Sequence, residues 1–241
     1  MIREISPSPR LPFISNRFFL FFLLLLATLL FYPYAESSRL GYFAFRVVGS
    51  VAILVRVYAA KIHRGLIAIP IILAVPALFQ RIFRPHTDAT SFSIFSVTLN
   101  FVFDLLIVVV IFRHVFARDR ANSETIFGAL CVYLLVGFSF ANFYGIVAAC
   151  QPDAFYLDPQ TNLHTTPVRL DFIYYSFSTM ASLGTAGITP VTPQGRSFTI
   201  LEAILDVLCL AVLIARLMGA YRPDSDVTPK SDQQLAGFFA R

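Results

Sequence analysis

Long apolar runs constrain this chain more than any other feature of its sequence. Each run has close to the roughly 20 residues that an α-helix needs to cross the 30 Å hydrocarbon core of a bilayer. The six runs are Phe18–Tyr34, Leu40–Ala60, Gly65–Phe83, Phe92–Phe112, Glu124–Ala149 and Ser197–Gly219. We therefore predict an all-α, polytopic membrane protein with six transmembrane helices.

The charge content argues against the soluble alternatives. Only 14% of the residues are charged and 57% are hydrophobic, whereas a soluble domain carries about 25% charged residues. The net charge of +5 is scattered, and without a block of five or six basic residues we expect no nucleic-acid partner. The cysteines and histidines form no spaced cluster, so we also predict no metal site and no cofactor.

The positive charges predict the orientation of the spans. With a cytoplasmic N-terminus, 12 of the 19 Lys and Arg residues lie on the cytoplasmic side, 5 lie outside and 2 lie within the second run. This asymmetry favours a multi-pass protein of the cell membrane with both termini in the cytoplasm. The first run also resembles a signal peptide, but the residues after it offer no small-x-small cleavage site, which favours retention over cleavage.

A short segment between the last two runs carries the functional prediction. Asp171–Ser182 is apolar but too short to cross, and the stretch Leu183–Pro190 that follows is non-helical and rich in small residues. We predict that Asp171 caps a helix over Phe172–Ser182. Irregular backbone at membrane depth is tolerated where it is buried in protein or lines a water-filled cavity, and the C-terminal end of a half-helix favours a cation. A re-entrant helix of this kind predicts one wall of a cation pore.

The same stretch resembles the pore loop of potassium channels, in the two-span ion-channel pore family and its bacterial six-span type. The similar residues are Phe177–Gly184, Ile188–Pro190, Gly195–Arg196, Leu201–Ala203 and Leu210–Leu217, within about residues 124–220. The resemblance implies a homotetramer in membrane lipid that conducts monovalent cations passively, with potassium as the first candidate. It also implies four parts: a cytoplasmic tail (1–17), a four-helix peripheral region (18–122), the pore domain (123–220) and a short cytoplasmic tail (221–241).

The resemblance further implies a selectivity filter made of Ser182, Leu183, Gly184, Thr185, Ala186 and Gly187. Compared with the family's Thr-Leu-Gly-Tyr-Gly-Asp, Thr185 replaces Tyr, Ala186 replaces the second Gly and Gly187 replaces Asp. An Ala with left-handed backbone costs about 1–2 kcal/mol, and Thr185 is too small to brace the filter from behind. These departures argue against sharp potassium selectivity. They also leave open a non-conducting regulatory or structural subunit.

The last span and Asp171 supply the other candidate residues of the pore. We assign Asp206, Val207, Leu210 and Ile214 to the pore cavity and gate, where an apolar ring can gate by dewetting. Asp206 either faces the cavity or hydrogen-bonds a neighbouring helix, and the apolar three alternatively only contact the fifth span. Asp171 and Glu202 are assigned to filter support, with ion binding as the alternative role of Glu202.

The first four spans carry no comparable signature. A voltage sensor needs several Arg residues at three-residue spacing on one helix, but the fourth span has none before Arg113 and contains Asp104 instead. An ion pair between Asp104 and Arg56 would neutralise both charges. No nucleophile–base constellation and no internal repeat supports a membrane enzyme or a transporter, so we predict that the chain is not an enzyme.

Overall fold

A computed structural model of the chain describes residues 17–31, 34, 39–59, 72, 74, 75, 78, 79, 94–117, 123–162, 165–184 and 187–220. The protein is mostly helical. In chain order the elements are α1 (Arg17–Phe31), α2 (Arg39–Ala59), α3 (Ile94–Phe116), α4 (Ser123–Cys150), β1 (Phe155–Leu157), α5 (Arg169–Met180), β2 (Ile188–Pro190) and α6 (Pro193–Ala220).

Three of these helices are long and apolar enough to cross a bilayer, namely α3, α4 and α6. They correspond to the predicted fourth, fifth and sixth spans, and they indicate a membrane protein. The described α1 has 15 residues, and the apolar part of α2 is Phe43–Val55. Both are shorter than a span requires, so the first two spans stay predictions. Most of the third, Gly65–Phe83, and both predicted tails apart from Arg17 lie outside the described residues.

The central helix of the bundle is α4, which contacts α1, α3, α5 and α6. Its small residues allow this close packing. A Cβ at Gly137 would come within 2.9 Å of Cζ of Phe177, so only glycine lets α5 approach α4 so closely at this point. The ring of Phe138 packs edge-on against the same Phe177, with 5.2 Å between centroids.

Polar contacts show which helix ends lie together. Arg17, at the start of α1, donates from Nε and Nη2 to Oε1 of Glu124 at 3.0 and 2.8 Å. Arg216, near the end of α6, donates from Nη2 to the carbonyl oxygen of Phe116 at 3.1 Å. Arg17 and Arg216 therefore lie at one end of the bundle, as expected for two residues on the same side of a membrane.

Two helices begin earlier than the hydropathy pattern predicts. The helix α6 starts at Pro193 rather than Ser197, because the hydroxyl of Thr192 accepts a hydrogen bond from the N–H of Gly195 at 3.2 Å. Thr before Pro at the first helical position is a strong helix start. The helix α5 starts at Arg169, so the prediction that Asp171 is its N-cap is wrong. Asp171 lies in the first turn, and its Oδ2 accepts from the N–H of Val168 at 2.7 Å.

A two-stranded antiparallel sheet joins the segment after α4 to the stretch that the sequence predicted only as non-helical. The register pairs Phe155 with Pro190, Tyr156 with Thr189 and Leu157 with Ile188. Side chains alternate in burial along β1, as strand geometry requires: Tyr156 is 55% exposed, whereas the residues on either side of it are nearly fully buried. The segment after α4 is thus joined to the segment before α6. We call residues 151–162 the outer loop and this end of the bundle the strand end.

Candidate pore-forming site

The short helix α5 descends from the strand end and stops level with the middle of α4. Ser176 donates from Oγ to the carbonyl oxygen of Gly137 at 2.8 Å, and Cε of Met180 lies 3.1 Å from the Cβ position of Gly137. Gly137 is 13 residues from Cys150, the last residue of α4, which corresponds to about 20 Å along the axis. The chain therefore runs halfway down α4 as a helix and then turns back as irregular backbone.

A buried carboxylate joins the three helices behind this turn. Glu202 of α6 is fully buried; it accepts a hydrogen bond from the hydroxyl of Tyr144 in α4. It also shares the single hydroxyl proton of Ser176 in α5 with the carbonyl oxygen of Gly137. A second link joins α5 and α6, since the hydroxyls of Tyr175 and Thr199 lie 2.6 Å apart. The sequence singled out Glu202 but not its partners. The available signal was that each partner is a polar residue in a segment that the sequence places within the membrane.

The predicted filter begins directly after α5. Ser182 has φ +56° and Gly184 has φ +89°, while Leu183 between them has no positive φ. The described residues 182–184 therefore alternate in backbone handedness, and the side chain of Leu183 is 76% exposed. Positive φ at a non-glycine residue costs about 1–3 kcal/mol and is concentrated at functional sites. Thr185 and Ala186 lie outside the described residues.

Gly187 has different surroundings from the exposed residues 182–184. Its carbonyl oxygen accepts hydrogen bonds from the backbone N–H of Asp158 and from Nδ2 of Asn162, both at 2.8 Å. Neither partner was identified from the sequence, which carries no local signal for a contact across 25 residues. Among the predicted filter residues that the structure describes, Gly187 is thus directed to the outer loop.

The predicted cavity residues of α6 divide into two groups. Val207, Leu210 and Ile214 lie on one open face, with exposed fractions of 64%, 43% and 52% in the single chain. Asp206 is 3% exposed, and neither of its carboxyl oxygens has a hydrogen-bond partner in the described part of the chain. Around α6, Asp206 lies 100° from Val207 but only about 40° from Leu210, which follows it by four residues. The structure thus groups the apolar three by their exposure, with the buried Asp206 at the edge of their face.

A chain of polar contacts links the peripheral helix α3 to α5. Nδ2 of Asn142 donates to Oδ2 of Asp104 at 2.9 Å, and Nη2 of Arg169 donates to Oδ1 of Asn142 at 3.0 Å. Asp104 is 2% exposed, and these residues line a cavity of about 60 Å³. The side chain of Arg56 lies outside the described part of the chain, so the proposed Asp104–Arg56 pair stays a prediction.

A comparison with known protein families gives a match to the part of the chain that contains this site. Residues 104–222 match a family model described as an ion channel, that of the two-span pore family. The match begins within α3, earlier than the resemblance at about residue 124, and it covers α4, the outer loop, α5 and α6. Among curated proteins and among solved structures no match to this chain is found. The family match and the apolar helices point to an ion-channel role in a membrane, and not to an enzyme.

Proposed function

We propose that this chain is one subunit of a homotetrameric channel in the cell membrane that conducts monovalent cations passively. Residues 123–220 form the pore domain, with α4 and α6 as spans and α5 as a re-entrant helix between them. The helices before residue 123 form a peripheral region in a six-span subunit of the bacterial type, with both termini in the cytoplasm. The observation that carries this proposal is the end of α5 at half the depth of α4, followed by exposed, non-helical backbone.

This geometry suits a cation path for electrostatic reasons. The C-terminal end of α5 carries the partial negative charge of the helix dipole, and it lies at the middle of the bundle. Backbone carbonyls of the residues that follow can replace the water shell of an ion. One chain supplies one wall, so several copies around an axis are needed to enclose the path.

The surface of α6 supports assembly. Large apolar side chains along it are exposed in the single chain, for example Ile204 at 52%, Leu208 at 54% and Ile214 at 52%. In the proposed tetramer this surface divides between membrane lipid, the neighbouring subunits and the cavity. Val207, Leu210 and Ile214 line the cavity and form its apolar gate. Asp206, buried four residues before Leu210, lies at the edge of the cavity lining, and Glu202 and Asp171 act as structural supports of α5.

The ion preference follows from the filter sequence. Thr185 and Ala186 stand where the family has Tyr and Gly, so the filter lacks a large bracing side chain and one residue that adopts positive φ without cost. We therefore propose a channel that discriminates weakly between potassium and sodium.

Reversal-potential measurements test the function directly. The full chain is reconstituted into planar bilayers with opposed gradients, so that potassium is in excess on one side, sodium is in excess on the other, and both ions are present on both sides. We expect a cation current whose reversal potential lies well short of the potassium equilibrium potential. Replacement of both cations by a large organic cation is the control, and it should abolish the current. A reversal potential at the potassium equilibrium value would contradict weak selectivity.

The same departures at Thr185 and Ala186 favour one alternative, a non-conducting regulatory or structural subunit. Liposome flux separates the two functions. Folded tetramers that release no potassium or sodium would support the alternative and refute the proposed channel.

Cysteine modification tests the proposed cavity face. The test uses a Cys150→Ser background, because this substitution removes an exposed thiol. We expect a charged thiol reagent applied from the cytoplasmic side to reduce the current of Ile214→Cys several-fold. Val212→Cys is the matched control, since it is 43% exposed but lies roughly 160° around the helix from Ile214. Equal inhibition of both variants, or of the background chain, would rule out the assigned face.

A further inference from the structure

The carbonyl of Gly187, at the end of the predicted filter, is already used by the protein. It accepts one hydrogen bond from the N–H of Asp158 and one from Nδ2 of Asn162, each at 2.8 Å. A carbonyl oxygen has two lone pairs, so both are occupied. This oxygen is therefore not free to replace a water molecule around an ion.

Asn162 is itself held in a fixed position. Besides Gly187, its Nδ2 lies 3.0 Å from the carbonyl oxygen of Asp158 and 3.1 Å from Oγ1 of Thr161, so that three acceptors share the two amide hydrogens, and the contact with Gly187 is the shortest. The backbone N–H of Asn162 donates to the same oxygen at 3.1 Å. Oδ1 of Asp158 accepts from the N–H of Gln160 at 3.0 Å, which closes an Asx turn. The turn 158–162 is thus ordered by its own hydrogen bonds.

The outer loop is also anchored in the core. Phe155 of β1 is 4% exposed, and its ring lies 5.5 Å from that of Tyr144, 5.0 Å from Phe172 and 5.7 Å from Tyr175, between centroids. Through these rings β1 contacts both α4 and α5, and it pairs with β2 directly after Gly187. Asn162 therefore reaches Gly187 from a rigid support.

We propose that Asn162 is a positioning residue of the filter, which fixes the carbonyl of Gly187 and so the outer end of the ion path. The oxygens that face the ion then end before Gly187. Asn162 supplies from the outer loop the support that the small Thr185 does not supply from behind. This inference rests on the proposed channel function.

Two pairs of variants test the inference. Asn162→Ala and Asn162→Asp both remove the donor, whereas Gln160→Ala and Gln160→Asp change a residue two positions away whose side chain has no described contact with the filter. Under opposed potassium and sodium gradients, we expect both Asn162 variants to shift the reversal potential in the same direction, towards zero. The Gln160 variants should keep the wild-type value. A shift confined to the two Asp variants would mean that charge, and not hydrogen bonding, is responsible, and would overturn the inference.

Amide hydrogen exchange gives a readout that does not depend on conduction. In Asn162→Ala the amides of Phe155–Asp158 and of Ile188, Thr189 and Val191 are expected to exchange about tenfold faster than in the wild-type tetramer, because a hydrogen bond that fixes the two segments is lost. Unchanged exchange would overturn the inference even if the channel conducts. If the wild-type tetramer carries no current, the proposed function fails. Faster exchange in Asn162→Ala would still support the positioning role of Asn162 in that case.

Discussion

Replacing Glu202 by alanine is expected to destabilise the folded subunit by about 2–4 kcal/mol. Its carboxylate is fully buried, accepts from Tyr144 and shares the hydroxyl proton of Ser176 with the carbonyl oxygen of Gly137. Removal leaves a buried hydroxyl without its partner and opens a cavity between three helices, and each effect is costly. Thermal unfolding in detergent and the fraction of assembled tetramer measure the loss.

A matched substitution and a double variant make this prediction specific. Glu124→Ala removes a partly exposed carboxylate that pairs with Arg17 at 2.8 Å, and such pairs contribute about 0–1 kcal/mol. Combining Glu202→Ala with Tyr144→Phe should recover part of the lost stability, because the orphaned hydroxyl is then removed as well. If Glu202→Ala and Glu124→Ala unfold at the same temperature, Glu202 does not hold the helices together.

Replacing Gly187 by alanine is expected to abolish selective conduction and to lower the yield of tetramer. Its φ of +80° costs a side-chain-bearing residue about 1–2 kcal/mol in each subunit. The new Cβ would also overlap Thr161 and lie 2.8 Å from Nδ2 of Asn162. The backbone strain and the steric overlap both disfavour the observed contact between the outer loop and the residue before β2. Reversal potential and the proportion of tetramer in detergent are the measurements.

Gly219→Ala is the control for this substitution. Gly219 lies in α6 without positive φ, and a Cβ there meets nothing within 4 Å in the described part of the subunit. We expect wild-type assembly and currents from it. Wild-type behaviour of Gly187→Ala would mean that the outer loop does not need its observed position.

The sequence predicted those parts of the fold that the thickness of the bilayer determines. The requirement for about 20 apolar residues defines a span whatever its neighbours are, so α3, α4 and α6 were predicted to within a few residues. The same requirement identified Asp171–Ser182 as too short to cross. The observed α5 has 12 residues, in agreement with that reading.

The parts that were missed depend on contacts between distant segments. The strands β1 and β2 have three residues each, too few for a periodic pattern, and each is defined by its partner about 33 residues away. Tyr144 and Ser176 were missed because a polar residue within a membrane segment signals a cost but not the identity of its partner. The burial of Asp206 next to the exposed Val207 could not be predicted for a third reason. The rotation of α6 about its axis is set by its packing against α4, which local sequence does not specify.

The contacts among Asp104, Asn142 and Arg169 have a mechanical consequence. Arg169 is the first residue of α5, and the last residue of that helix lies two positions before Ser182. Because Asn142 belongs to α4, a shift of α3 along α4 strains the Asp104–Asn142 hydrogen bond, whereas a shift of α4 relative to α5 strains the Asn142–Arg169 bond. One side chain of α4 thus couples the position of α3 to the start of the helix that enters the turn at mid-depth.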